Sequence, residues 1–291
     1  MSKKQVAGYI LDRRIGKGSY ATVWKGRVEG RDEAVAVKVI SRQTVTETAQ
    51  LRQEVEVLRK ISHPNIVRFR DLKKSAAHFY LVLEYCAGGD LSQFLRERGR
   101  VAEEVARSFL TQISEGLCVL HRANVLHRDL KPQNILLSDC SANPVLKIAD
   151  FGFARALQPQ DMAATVCGSP LYMAPEILRH EPYDAKADLW SVGAILFELL
   201  IGHPPFTGTN PMQLLANIEK SRGLPFEDVK ISSSGQDFLE ALLVHSPSQR
   251  LSSQAFMQHT YVRLAASTAA AADTVGMQVG SGGGGSARAS E

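Results

Sequence analysis

From Tyr9 to about Lys38 apolar and polar residues alternate around glycines. A period of two places alternate side chains on opposite faces, so the stretch predicts strand, glycine turn, strand and a third strand over Ala34 to Ile40. The period then lengthens. Between Thr46 and Ile61, Leu51, Val55 and Leu58 fall at i, i+4 and i+7, one face of a helix. His63-Pro64-Asn65 ends that helix, and Val67 to Leu72 and Phe79 to Glu84 predict two more strands. Cys86-Ala87-Gly88-Gly89 reads as a loop, where the strand-rich part stops. Beyond Asp90 helical spacing dominates. Val105, Phe109, Ile113, Leu117 and Leu120 lie near one face of a helix over Val101 to Asn124. Short strands are predicted at Ile135 to Leu137 and Leu146 to Ile148, and the rest, to about Leu264, reads as helices separated by Pro and Gly.

The pattern predicts an α+β chain in two lobes over residues 9–262: a β-rich N-lobe at 9–84, a hinge at 84–89 and a larger helical C-lobe at 90–262. The run Leu189 to Ile201 is too short to span a bilayer and contains Glu198, so it predicts a buried core helix and no transmembrane segment. From 263 to 291 the composition turns to Ala, Ser, Thr and Gly, ending in GSGGGGSARASE. Such a segment cannot bury enough apolar area to offset its ordering entropy and predicts a flexible tail.

Composition changes this picture little. Thirty-four basic against thirty acidic residues give a net charge of +4 without a dense Lys/Arg block. That suits phosphate binding and does not indicate nucleic acid as a partner. The four cysteines, Cys86, Cys118, Cys140 and Cys167, form no C-x-x-C and no metal spacing, which fits reduced thiols in a cytoplasmic protein. The polar N-terminus, MSKKQVAGYI, is unlike a secretory signal.

Three strings carry chemistry. Gly16-Lys17-Gly18-Ser19-Tyr20-Ala21-Thr22-Val23 lies between two predicted strands, where glycines let backbone N–H groups close over phosphate oxygens. A tight hairpin with no ligand reads equally well at this stage, and no G-x-x-x-x-G-K-[ST] occurs. Val35-Ala36-Val37-Lys38 follows at the interval that lets Lys38 reach phosphates, with Glu54 on the next helix as its expected partner and Glu56 as the competitor. His127-Arg128-Asp129-Leu130-Lys131-Pro132-Gln133-Asn134 and Asp150-Phe151-Gly152 then bring two acids and an amide into loops between short strands. Phosphoryl transfer needs metal ligands, an oriented hydroxyl and positive charge on the phosphates. Asp150 and Asn134 offer oxygens for Mg²⁺, Asp129 can accept or orient a hydroxyl proton, and Lys131 can neutralise a γ-phosphate.

The set from Gly16 to Arg250, over roughly residues 9–262, resembles the eukaryotic protein kinase family. The resemblance implies an ATP- and Mg²⁺-dependent enzyme. It implies that Ile15, Gly16, Lys17, Gly18, Ser19, Tyr20, Ala21, Thr22 and Val23 cover the nucleotide, and that Ala36 and Leu136 sandwich adenine. Leu83 takes the gatekeeper position, the backbone of Glu84 and Cys86 faces the adenine edge, and Asp90 lies by the ribose. Glu176, of Ala174-Pro175-Glu176, pairs with Arg250, and Asp188 and Trp190 open a core helix; these four are read as fold-holding. A scaffold without catalysis is expected to lack Lys38, Asp129 or Asp150, and all three are present.

Lys131-Pro132 after Asp129, and Gly168-Ser169-Pro170-Leu171-Tyr172-Met173, are of the serine/threonine type, with Ser169 expected to touch Asp129 and Lys131. Gln133, where arginine-directed kinases carry Glu, argues against strong arginine selection, and Leu171 and Met173 suggest an apolar residue after the acceptor. Arg128 is expected to receive a phosphate on Thr165. The segments Ile148 to Arg155, Ala163 to Glu176, His127 to Leu137 and Tyr183 to Ser191, and Ala21 in place of a third glycine, are similar to the autophagy-initiating, uncoordinated-like kinases. That likeness implies protein substrates, adaptor subunits of the autophagy complex, and indirect recruitment to forming autophagosomal membranes. No calmodulin-target helix follows Leu264, against a calmodulin-regulated enzyme.

Overall fold

The structure, a computed structural model, describes residues 4–18, 21–43, 55–56, 58–150, 170–226 and 229–263. Six antiparallel strands form the first layer: β1 (Lys4–Val6), β2 (Tyr9–Lys17), β3 (Ala21–Val28), β4 (Ala34–Ser41), β5 (Phe69–Lys74) and β6 (His78–Glu84), in the order β1-β2-β3-β4-β6-β5. The pleat decides what each face does. Val35, Val37 and Val39 point to one side and bury themselves with Leu11, Tyr80 and Val82. Ala36, Lys38 and Ile40 point to the other, with Leu83 opposite Ala36 and Leu81 opposite Lys38. Ile40, Phe79 and Leu81 join the main core on that side.

Two expectations shift. The strand read at Val67 to Leu72 lies at Phe69–Lys74. Ile66 and Val67 are buried because they form a strap: Ile66 bridges Ile148, and the Val67 amide donates to the Ile148 carbonyl at 2.9 Å. β1 was not read at all. Of the helix expected over Thr46 to Ile61, residues 55–56 and 58–60 are described and helical, with Val55 and Leu58 buried; Ile61, also buried, already lies past the helix, and residues 46–54 and 57, Leu51 and Glu54 included, lie outside the described residues.

The second lobe is built on α1 (Leu91–Arg98), α2 (Glu103–Arg122), α3 (Pro175–Leu178), α4 (Ala185–Ile201), α5 (Pro211–Lys220), α6 (Ser233–Leu242) and α7 (Ser253–Gln258), with the hairpin β7 (Ile135–Leu137) and β8 (Leu146–Ile148) on its upper surface. α4 is apolar on nearly all sides and buried accordingly. Asp184 caps its first turn by accepting from the Lys186 amide, and Gly202 ends it at φ 102, where a side chain is disfavoured. Gly116 in α2 lets that helix meet the strap: a Cβ there would stand 2.7 Å from the Asn65 carbonyl oxygen.

Candidate active site

The site forms where the cleft-facing side of β4 meets the loops around β7 and β8. Lys38 Nζ donates to Asp150 Oδ1 at 2.7 Å. Although 44% of the Asp150 side-chain surface is open, the protein packed around it penalises its charge. The Lys38 ammonium, His127 and Lys131 together outweigh that desolvation and hold the carboxyl below the ordinary carboxylate range. Glu54, the partner expected for Lys38, lies outside the described residues.

The second acid is held from three directions. Lys131 Nζ donates to Asp129 Oδ2 at 2.7 Å. Asn134 Nδ2 donates to the same oxygen at 3.1 Å and to the Asp129 carbonyl at 2.7 Å. Two donated bonds orient the Asn134 amide, and its side-chain oxygen accepts nothing from any described residue. Asp129 Oδ1 accepts nothing from any described residue. The Ala149 amide donates to the backbone carbonyl of Asn134 at 2.8 Å, tying Asn134 to the residue before Asp150.

The loop takes this shape around Asp188 at the start of α4. Its carboxylate accepts the backbone N–H of His127 and of Arg128, both at 2.9 Å, and a bond from His121 Nε2 at 2.8 Å. Burial works against that charge, but the His121 bond, the His127 ring and the two backbone donors keep the group ionised below its ordinary range. The bonds hold Arg128 at φ 69, a left-handed conformation that costs a non-glycine residue on the order of 1–3 kcal/mol. Asp150 is held likewise at φ 60. His127 Nδ1 accepts the Asp129 amide, so its proton sits on Nε2 and is donated to the Ala149 carbonyl at 2.9 Å. One ring thus bridges the two acidic loops.

The glycine string is the turn between β2 and β3. Gly16 pairs with Val23, Lys17 with Thr22, and the Gly18 amide donates to the Ala21 carbonyl at 2.8 Å. Ile15 precedes it, exposed. Ser19 and Tyr20 lie outside the described residues. The hinge is stitched to β7: the Ala87 amide donates to Ser138 O, Gly88 to Leu137 O, and Leu137 to Gly89 O. A Cβ on Gly88 would stand 2.2 Å from the Asp139 carbonyl, so only glycine permits this approach. Leu136 bridges Asp90, whose carboxylate caps α1 through the Gln93 amide at 2.9 Å. Burial, with Glu84 beside it, pushes the Cys86 thiol up to about 12, so it stays protonated.

Arg128 lies over the Tyr183 ring at 5.5 Å, and its buried Nε has no partner among the described residues. Thr165 and Ser169, expected respectively to carry a phosphate and to touch Asp129, lie outside the described residues. Gln133 is exposed and donates to Ser92 Oγ. Sequence reading missed three positioning contacts: His121 on Asp188, Lys147 on Glu84 at 3.0 Å, and Asn65 Nδ2 on the Leu146 carbonyl at 2.9 Å. Each joins residues far apart in the chain, and no local motif marks them.

The protein kinase domain family matches residues 9–262, and the chain belongs to that family. It is 48% identical over 265 residues to the serine/threonine-protein kinase ATG1b of Arabidopsis thaliana, covering 90% of this chain and 37% of that protein. It is 43% identical over 262 residues to the serine/threonine-protein kinase ULK3 of Homo sapiens, covering 88% and 55%. The chain therefore spans between about a third and just over half the length of these relatives. Among solved structures, Rad53 1–466 in complex with AMP-PNP superposes with a TM-score of 0.74 at 34% identity, over 87% of this chain and 64% of that one. No described helix is long and apolar enough to cross a membrane.

Proposed function

We propose that this chain transfers the γ-phosphate of ATP to serine or threonine hydroxyls of protein substrates, in the initiation of autophagy. The convergence of Lys38, Asp129, Lys131, Asn134 and Asp150 carries this reading: two acids and two ammonium groups are held at 2.7 Å contacts in one cleft. In it, Lys38 steadies the α- and β-phosphates and Lys131 the transferring group. Asp129 Oδ1 orients the acceptor hydroxyl and takes its proton. The β2–β3 turn covers the phosphates, Ala36, Leu83 and Leu136 enclose the base, the backbone of Glu84 and Cys86 meets its edge, and Asp90 meets the ribose.

Mg²⁺ fits the donor set. The Asn134 amide oxygen and the Asp150 carboxylate are hard oxygen donors, and two protein ligands suit an ion whose other positions go to phosphates and water. Among the described residues no cluster of three or more His, Cys, Asp or Glu offers a fuller metal cage. When bound, the ion supplies charge neutralisation at the phosphates.

The serine/threonine assignment rests on the Lys131-Pro132 loop and on relatives named as serine/threonine-protein kinases. A phosphate on Thr165 facing Arg128, and adaptor subunits that bring the chain to membranes, belong to the same proposal. Phosphoamino-acid analysis of a labelled protein substrate tests the acceptor: phosphoserine and phosphothreonine are expected, and phosphotyrosine alone overturns the reading. Expression in cells deleted for their ATG1-type kinase tests the role. Autophagosome formation should return with this chain and not with Asp129→Asn.

A further inference from the structure

Away from the cleft, the helical lobe holds a cavity of about 540 Å³ between α2, the start of α4 and α7. That volume falls in the range of small-molecule sites. Its apolar wall is Leu117 on α2, Leu189 on α4, and Phe256 and Met257 on α7. The Cys118 thiol adds a second sulfur beside that of Met257. Two polarisable sulfurs and a phenyl ring favour a flat aromatic guest over a saturated one. The lining carries one permanent charge, Arg122, the exposed last residue of α2. Arg122 forms no ion pair with a described residue, and no Asp or Glu lines the cavity.

Another wall residue leads to the catalytic loop. His121 donates through Nε2 to Asp188 Oδ2, and Asp188 accepts the amides of His127 and Arg128. A guest that shifts the His121 ring therefore acts on the carboxylate that shapes the segment before Asp129.

We propose that this cavity binds a small aromatic monoanion, its ring against Phe256, Met257 and Cys118 and its carboxylate toward Arg122, and that the catalytic loop senses the guest through His121 and Asp188. The proposal stands apart from the phosphoryl-transfer reading, and its test measures no transfer.

The test titrates 1-pyrenebutyrate into the whole chain, with 1-pyrenemethylammonium as the opposite-charge control. NMR follows the Met257 methyl and the His127 and Arg128 amides. Saturable shifts of all three are expected, with the carboxylate bound about tenfold more tightly than the ammonium compound. Arg122→Glu, at an exposed helix end, should weaken pyrenebutyrate by about tenfold, since charge reversal turns attraction into repulsion. Met257→Trp, which fills the cavity, should abolish the amide shifts; the surface variant Arg122→Glu keeps the test decisive should that packing change unfold the chain. Absence of saturable binding, equal affinity for the two pyrenes, or binding that leaves the His127 and Arg128 amides unmoved would each overturn the proposal.

Discussion

Arg250–Glu176 and Lys38–Asp150 are both cation–carboxylate contacts of 2.7 Å, yet their surroundings are opposite. The Arg250 and Glu176 side chains are 0% and 2% exposed. Arg250 grips both Glu176 oxygens, spends its other donors on the carbonyls of Val244 and Lys186, and lies over the Trp190 ring at 5.1 Å. Nothing is left for a ligand. Lys38 and Asp150 are 16% and 44% exposed and share one hydrogen bond. Charge that is buried and fully bonded fixes the fold; charge at the cleft surface stays open to a ligand. The same division separates Asp188, which accepts three bonds through its two oxygens, from Asp129, whose Oδ1 accepts nothing from any described residue.

If that division holds, substitutions on the two sides should fail differently. The largest effect belongs to the cleft. Asp129→Asn should lower transfer by about 10²–10⁴-fold while leaving the urea midpoint unchanged, because only a positioned base is lost. Next comes Glu176→Ala, which strands a buried guanidinium and should cost about 3–5 kcal/mol in urea unfolding. Loss of transfer without loss of stability in Glu176→Ala would break the comparison.

A smaller effect is expected at Asp188. Asp188→Asn puts an amide donor against the N–H of His127 or Arg128 and should cost about 1–3 kcal/mol at neutral pH. The folded-state pKa of Asp188 is depressed, so its contribution is present above the ordinary carboxylate value and is lost as pH falls through the lower, folded value. The gap between wild type and variant should therefore close in strong acid, as denaturant titrations across pH would record. The smallest effect is at Glu198, which accepts from the Tyr172 hydroxyl at 2.6 Å. Burial raises its pKa despite that bond, so its stabilising protonated form is lost as pH rises through the folded value. Glu198→Gln keeps an acceptor without charge and should raise Tm by about 1–3 °C at neutral pH, with no gain in acid.

The elements that follow a local rule were legible in the sequence. Alternation in Ala34–Ser41 put Lys38 and Val37 on opposite faces, and the strings around Asp129 and Asp150 stood out by residue types and order, with Lys131 and Lys38 now found against those acids. What depends on distant partners was not legible. Ile66 and Val67 imitate the start of a strand, because burial in a strap and burial in a sheet select the same side chains. β1 is three residues with one apolar side chain, too little pattern to read. Asp188 could be taken as fold-holding, but its use of His121, 67 residues away, exists only once α2 and α4 pack.

The central claim is that Lys38 and Asp129 serve one phosphoryl-transfer site. Its most direct test is incorporation of label from γ-labelled ATP with Mg²⁺ into a generic serine/threonine substrate by the wild-type chain, Lys38→Met and Asp129→Asn, with folding checked on the same samples. The account predicts transfer by the wild type that falls by at least about 10²-fold in both folded variants. Transfer that persists unchanged in either folded variant would contradict it.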